Sequence, residues 1–440
     1  MRGLTVLAVT VVLVLGLTAS LAAATWHIKP DGSGDAATIA AGVSAAAASD
    51  TLLLANGTFS GSGNRDIDLF SKPLTICSES GNPALCTIDC GGSVSENHNA
   101  FDIRLGGTPS IVLKDLTIRG GYGPSGGAIY VTKYLTGDVT VDIENCTFTN
   151  NATAWSGGAI FVSDGCTVNL TGCSFILNSA TNGGALAQYD GSAASVTGCN
   201  FSGNQAQYGG VVDFASGGTA TGSFTGCSFL GNTATKDGGV FYCGLGSPVF
   251  TGCAFMENSA GWSGGVLYLS GGVSMTLCAS FRNRAVYFGS SMYCQAAQSI
   301  QITSCSFVAD SAASAVIFCG VNVSPVLDRT LIAFAKTAAA IYCGGGSPGT
   351  PTLTCCDIYG NELGDWAYCI AGQAGINGNL SQDPLFCDIP TGDISVEDCS
   401  PCLAANNGCG QNIGAEWDSG CGCGEATEPT TWGALKALYK

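Results

Sequence analysis

Two histidines, His27 and His98, limit the chemistry this chain can run. General acid–base work needs a tunable imidazole or paired carboxylates at a set separation. His27 stands near the start of the chain and His98 lies in SENHNAF; both read as surface or loop residues. Asp142, Glu144, Asp164, Asp190 and Asp213 share no common phase and form no Asp-Asp pair. Arg65-Asp66-Ile67-Asp68 and Lys114-Asp115 make a polar cluster that reads as charged turn residues. Cys399 and Cys402 form a CxxC without a second pair at zinc-finger spacing. The expectation is therefore no catalytic residue, no metal ligand and no cofactor. Three carboxylates meeting in one groove beside an arginine would overturn it.

Charge narrows the partners. The 440 residues carry 15 Lys and Arg against 32 Asp and Glu, a formal charge of −17. Nucleic acid is excluded as a partner, because phosphate recognition needs clustered cations. Arg2, the apolar run Leu4–Leu17 and the small residues Ala22 and Ala24 read as a secretory leader over residues 1–24. The 24 cysteines all follow it and so face an oxidising compartment. No later stretch is long and apolar enough to cross a membrane.

A repeated phrase must position whatever function exists. TGCSFLGNTATKDGGVFYC recurs in near copies, with its cysteine at 146, 173, 199, 227, 253, 278 and 305. These steps of 25 to 28 residues continue through Thr330 to Cys356. Such a period means a solenoid, and one shorter than helical repeats of about 33–47 residues. Short β-rich words bounded by Gly and Asn select a parallel β-helix. Two residues past each cysteine stands Phe148, Phe175, Phe201, Phe229, Phe255 or Phe307, an expected internal stack. Near Cys278 the phase slips, leaving Phe281 three residues on. Five residues past stands Asn151, Asn178, Asn204, Asn232, Asn258 or Asn283, then Asp310, an expected ladder at a left-handed corner. Gly-Gly pairs such as Gly183-Gly184 mark a second corner. The strands that follow, AIYV, AIFV, VFYC and VLYL, are expected to enter the core, with Cys243, Cys294, Cys319 and Cys343 as stacked thiols.

The ends break the pattern. Ile39, Val43 and Ala47 have helical spacing and predict a short capping helix. Cys77, Cys86 and Cys90 predict a stapled loop. Cys387, Cys399, Cys402, Cys409, Cys421 and Cys423 predict disulfides whose pairing the sequence leaves open. The divisions are a leader (1–24), a cap with first coils (25–70), repeats (71–381), a Cys-rich cap (382–424) and a linker with tail (425–440).

The opening WHIKPDGSGDAATIAAGVSAAAASDTLLLANGTFSG resembles the cap of secreted bacterial pectin-lyase-like, right-handed parallel β-helix proteins. GNRDIDL, IDCGG and the GGAI-type words resemble the polymorphic outer membrane protein repeat. The resemblance implies an all-β, single-stranded right-handed parallel β-helix. It also implies a secreted protein, or one held at the outer surface, where TTWGALKALYK would serve as a sorting tag. Enzymes of this fold use an Arg or Lys base beside calcium-holding carboxylates, or several aspartates on adjacent coils. Neither pattern is evident, so the expected function is a non-catalytic adhesin-like or structural module that meets a glycan or a surface protein. A polysaccharide lyase or glycoside hydrolase is the alternative.

Overall fold

The computed structural model describes residues 23–69, 72–105, 110–133, 139–214, 220–296, 299–346, 348–415 and 420–423. The leader up to Leu21 and Ala22, and the whole tail 425–440, lie outside the described residues.

Three parallel sheets wrap one core. Among the described residues the first has 13 strands, from Thr25–Ile28 to Thr352–Thr354. The second has 12, from Gly57–Ser60 to Asp357–Tyr359, and the third 11, from Ile67–Asp68 to Ala339–Cys343. Each coil visits all three in turn, as Thr167–Thr171, Ser174–Ile176 and Leu186–Gln188 do. The chain is thus an all-β parallel solenoid with a disulfide-rich C-terminal region.

Identical positions stack because each strand pairs in register with the same strand of the next coil. Phe148, Phe175, Phe201, Phe229 and Phe255 are register partners in sequence. Their rings lie 4.9 Å apart and within 9° of parallel. Each such pair adds about 0.5–1.5 kcal/mol beyond its buried area. The cysteine column is buried and each thiol donates to a backbone carbonyl; Cys173 Sγ reaches Ile143 O at 3.4 Å and Thr171 O at 3.5 Å. Thr330 fills the same place with equivalent bonds to Ile302 O and Asp328 O.

The asparagine ladder is fully buried from Asn151 to Asn283. Asn204 shows the pattern. Its Oδ1 accepts from both the backbone N and Nδ2 of Asn178, and its Nδ2 donates to Phe175 O. The left-handed corner residue, however, is the one before the asparagine: Asn150, Leu177, Gly203, Gly231 and Glu257 have φ of 54°, 55°, 63°, 61° and 55°. The asparagine supplies the bonds and its predecessor absorbs the turn. Leu177→Gly should therefore raise stability by about 0.5–1 kcal/mol, read as a higher urea midpoint. At the other corner Gly183 has φ 60°, and a Cβ on Gly184 would stand 2.2 Å from Gly210 O.

No backbone slip occurs at Cys278. Ser280 pairs with Phe255 and occupies the ring column, while Phe281 points outward. Ser280 and Ser291 donate to Asp310, which ends the ladder by accepting from Asn283. Burial pushes the Asp310 carboxyl up to about 6.

Phe281 has an outward partner. With Met256, Val308 and Ala279 it packs under Ile394 and Ala415 of the Cys-rich region. That region runs back along the second sheet's outer face, held by Arg282 Nη2 to Ile389 O and Pro390 O, both 3.0 Å. The open end of the core is met instead by Ile370, Trp366 and Cys369. At the front, helix α1 (Ile39–Ala45) is capped by Thr38 and buries Ile39 and Val43. Ala46 is buried in place of the expected Ala47.

Four disulfides form: Cys343–Cys369, Cys355–Cys409, Cys387–Cys421 and Cys399–Cys423. Three expectations need correction. Cys77, Cys86 and Cys90 are free thiols, so no stapled loop forms there. Cys402 is unpaired and buried against Asp357. Cys343 leaves the thiol column; its partner lies one coil on but in a 3-10 turn (Tyr368–Gln373), where side chains no longer run parallel.

Candidate functional site

The strands after the glycine corner do not bury every residue. In Ile129-Tyr130-Val131 the outer two face the core and Tyr130 faces out. Register then builds one outward file on the third sheet: Asp68, Asp102, Tyr130, Phe161, Ala187, Asp213, Tyr242, Tyr268, Tyr293, Phe318 and Tyr342. The outer positions of the first sheet are more often Thr, Ser or Asn, as in Thr167, Asn169 and Thr171.

The later tyrosines stack on one another. Tyr242–Tyr268 centroids are 4.8 Å apart at 13°, Tyr268–Tyr293 5.0 Å at 30°, Tyr293–Phe318 5.3 Å at 21°. Their faces are taken by neighbours, so edges and phenol hydroxyls are what the file presents. Tyr268 hydroxyl donates to Gln295 Oε1 at 2.7 Å. Beside the file, at the glycine corner, stand the exposed rings of Trp155, Trp262, Tyr287 and Phe288. Lys236 Nζ lies over Tyr208 at 4.8 Å and over Trp262 at 5.4 Å.

Asp213 interrupts the aromatic file and is only 4 % exposed. Burial pushes its carboxyl up to about 7, opposed by a hydrogen bond from Tyr189. The Tyr189 hydroxyl in turn meets Ser156 Oγ at 2.9 Å. Asp237 is also raised by burial, against the pull of the Ser263 backbone N–H.

At its N-terminal end the file opens into a groove of about 320 Å³ lined by Asp66, Asp68, His98, Asp102, Arg104 and Tyr122, among others. His98, expected as loop, holds Asp66 through Nδ1 at 2.7 Å. Asp66 and Asp68 are thus brought together with Asp102, whereas Lys114 and Asp115 are not part of this groove. Lys114 pairs with Glu144 and Asp115 accepts from Asn145. Burial raises Asp102, and Arg104 opposes it by binding both carboxylate oxygens. Three carboxylates and an arginine therefore do line one groove. That is the arrangement set above as the condition for the catalytic alternative, which this groove keeps open. Arg104 is engaged by Asp102 through its Nε and Nη2. The three carboxylates do not bring ligand atoms within 4.8 Å of one another, as a shared calcium would require; among the described residues that holds only for Glu397, Cys399 and Cys423. Cys399 and Cys423 are joined in a disulfide and offer no thiolates. Of the remaining acids, Asp142 accepts from Ser110 and Asn169, and Asp164 from Thr132 and Ser163.

Comparison with known proteins agrees with this architecture. Residues 39–201 match the right handed beta helix region, and residues 226–244 match the Chlamydia polymorphic membrane protein repeat. No curated protein matches the chain. Among solved structures, ORF18 of Geobacillus virus E2 is similar at 11% identity and TM-score 0.38. That alignment covers 72% of this chain and 56% of the viral one, so the chain spans little more than half of that relative. Pectate lyase Pel9A is similar at 12% identity and TM-score 0.34, covering 62% of this chain and 78% of the lyase. The chain is a parallel β-helix protein that is similar over these two stretches to right-handed β-helix and polymorphic membrane protein repeats.

Proposed function

We propose that this is an exported, surface-located β-helix that binds an extended, uncharged glycan along the outer face of its third sheet, without converting it. The observation that supports this reading is the confinement of the tyrosine file, with Trp155, Trp262, Tyr287 and Phe288 at its margin, to that one face. Amphipathic rings offer apolar edges and hydroxyls together, which suits sugars that alternate C–H patches and hydroxyl groups. The formal charge of −17 repels acidic polymers and leaves neutral ones favoured. Affinity electrophoresis through gels holding neutral or acidic polysaccharides tests the proposal. The chain should be retarded by a neutral polymer, and Trp262→Ala with Tyr268→Ala should weaken retention about tenfold, some 1.4 kcal/mol. Equal migration in every gel would end this reading.

A second reading keeps a place because of the Asp66–Asp68–Asp102 groove: a polysaccharide-degrading enzyme. Release of reducing or unsaturated ends from any polymer, abolished by Asp68→Asn, would favour it over pure binding.

A further inference from the structure

A second outward file runs along the first sheet: Thr171, Thr197, Thr225, Thr251, Thr276 and Thr303, then Asp328 and Thr354. Beside Thr276 and Thr303 the returning C-terminal region forms an open cleft of about 450 Å³ with the coils. Thr276, Thr303, Ser304 and Arg329 line it from the coils, Gln411 and Asn412 from the C-terminal region. The volume falls in the range of small-ligand pockets.

We propose that this cleft is a separate binding site for a single neutral sugar unit or similar polyol. Charge decides the class. Arg329 is the only charged residue lining the cleft among the described residues, and it is already neutralised. Its Nε donates to Asp328 at 2.9 Å and its Nη1 to Gln411 Oε1. An anion would have to displace Asp328. What remains is a set of uncharged groups that both give and accept hydrogen bonds. The Thr276, Thr303 and Ser304 hydroxyls have no partner within the described protein. Asn412 uses its Oδ1 on the Ala404 N–H at 2.8 Å, which leaves its Nδ2 to donate. Ser304 carries the argument furthest. It is 6 % exposed, lines the cleft, and holds an unpartnered hydroxyl. This hydroxyl opens onto the cleft, where a ligand hydroxyl would take the place of water. Its backbone sits at φ 49°, a left-handed corner that fixes the side chain's origin. A polyol supplies paired donors and acceptors from one carbon skeleton, which an amine or carboxylate does not.

The test uses the full exported chain and saturation-transfer NMR with D-glucose, D-galactose, D-mannose and N-acetylglucosamine, with acetate and phosphate as anion probes. At least one sugar should saturate a single site in the millimolar range, and neither anion should compete. The near-isosteric double variant Thr276→Val/Thr303→Val should weaken binding about tenfold or more with unchanged thermal unfolding. Should that variant misfold, Ser304→Ala is measured in its place with the same expectation. Absence of saturable binding, competition by an anion, or equal affinity in the variant overturns the proposal. The Trp262→Ala/Tyr268→Ala chain separates this site from the aromatic face: it should bind the monosaccharide as before while losing the polymer.

Discussion

Replacing Asp213 with asparagine should stabilise the protein by about 4 kcal/mol at pH 8 and leave it nearly unchanged at pH 4. The folded carboxyl titrates at about 7 against a model value of 3.8, because burial penalises its charge. A group raised in the folded state contributes fully while protonated in both states, below the unfolded value. That contribution is lost as pH rises through the folded value. Wild-type stability should therefore decline between about pH 4 and 7 through this residue, at about 1.4 kcal/mol per unit. Asparagine keeps an acceptor for the Tyr189 hydroxyl and carries no charge, so the variant should lack most of that decline. Asp310 acts in the same direction over a narrower window, ending near its folded value of about 6. Urea unfolding of the parent and Asp213→Asn at pH 4, 6 and 8 checks the prediction. Parallel curves for the two proteins would show that Asp213 is ionised at no cost.

Asn204→Ala should lower stability by about 3–5 kcal/mol. The substitution removes one side chain but strands partners on two other residues. The Asn178 N–H and amide lose their acceptor, and Phe175 O loses its donor, all in the dry interior. In a solenoid each coil contacts only its neighbours, so the damage should be local first. Hydrogen exchange should accelerate at Asn178 and Phe175 before the end coils, and limited proteolysis should cut in the middle of the chain. A loss below about 1 kcal/mol would mean that water replaces the missing amide.

The interior of this fold was readable in the sequence because stacking makes every coil repeat the same letter at the same place. Cys, Phe and Asn columns therefore declare the period, and the period alone puts Thr330 in the cysteine column. The outer file of the third sheet was hidden by the same brevity that makes it regular. In AIYV or VLYL every residue is apolar or aromatic, and three-residue strands are too short to reveal which letter alternates outward. The acidic groove was missed for another reason. Asp68 and Asp102 are register partners 34 positions apart, longer than the 25 to 28 of the later coils, so the period did not pair them. His98 and Asp66 meet across two loops that carry no periodicity at all. The course of the C-terminal region did leave a trace. The positions flanking the buried ring change from Thr147 and Thr149 to Ala254 and Met256, then Ala279 and Phe281, just where Ile394 and Ala415 lie over them.

That greasy strip has a consequence for how the molecule is made. Early coils are finished once the next one is laid down, so they can mature in the order of synthesis. The coils from Ala254 onward cannot, because their lid comes from a stretch several coils downstream, as the 107-residue span from Arg282 to Ile389 shows. Until the ribosome releases that stretch, the half-built cylinder keeps a sticky seam open to chaperones and to its own siblings. Biogenesis therefore has a built-in last step, and a chain cut short before Ile394 would be not merely shorter but adhesive to itself.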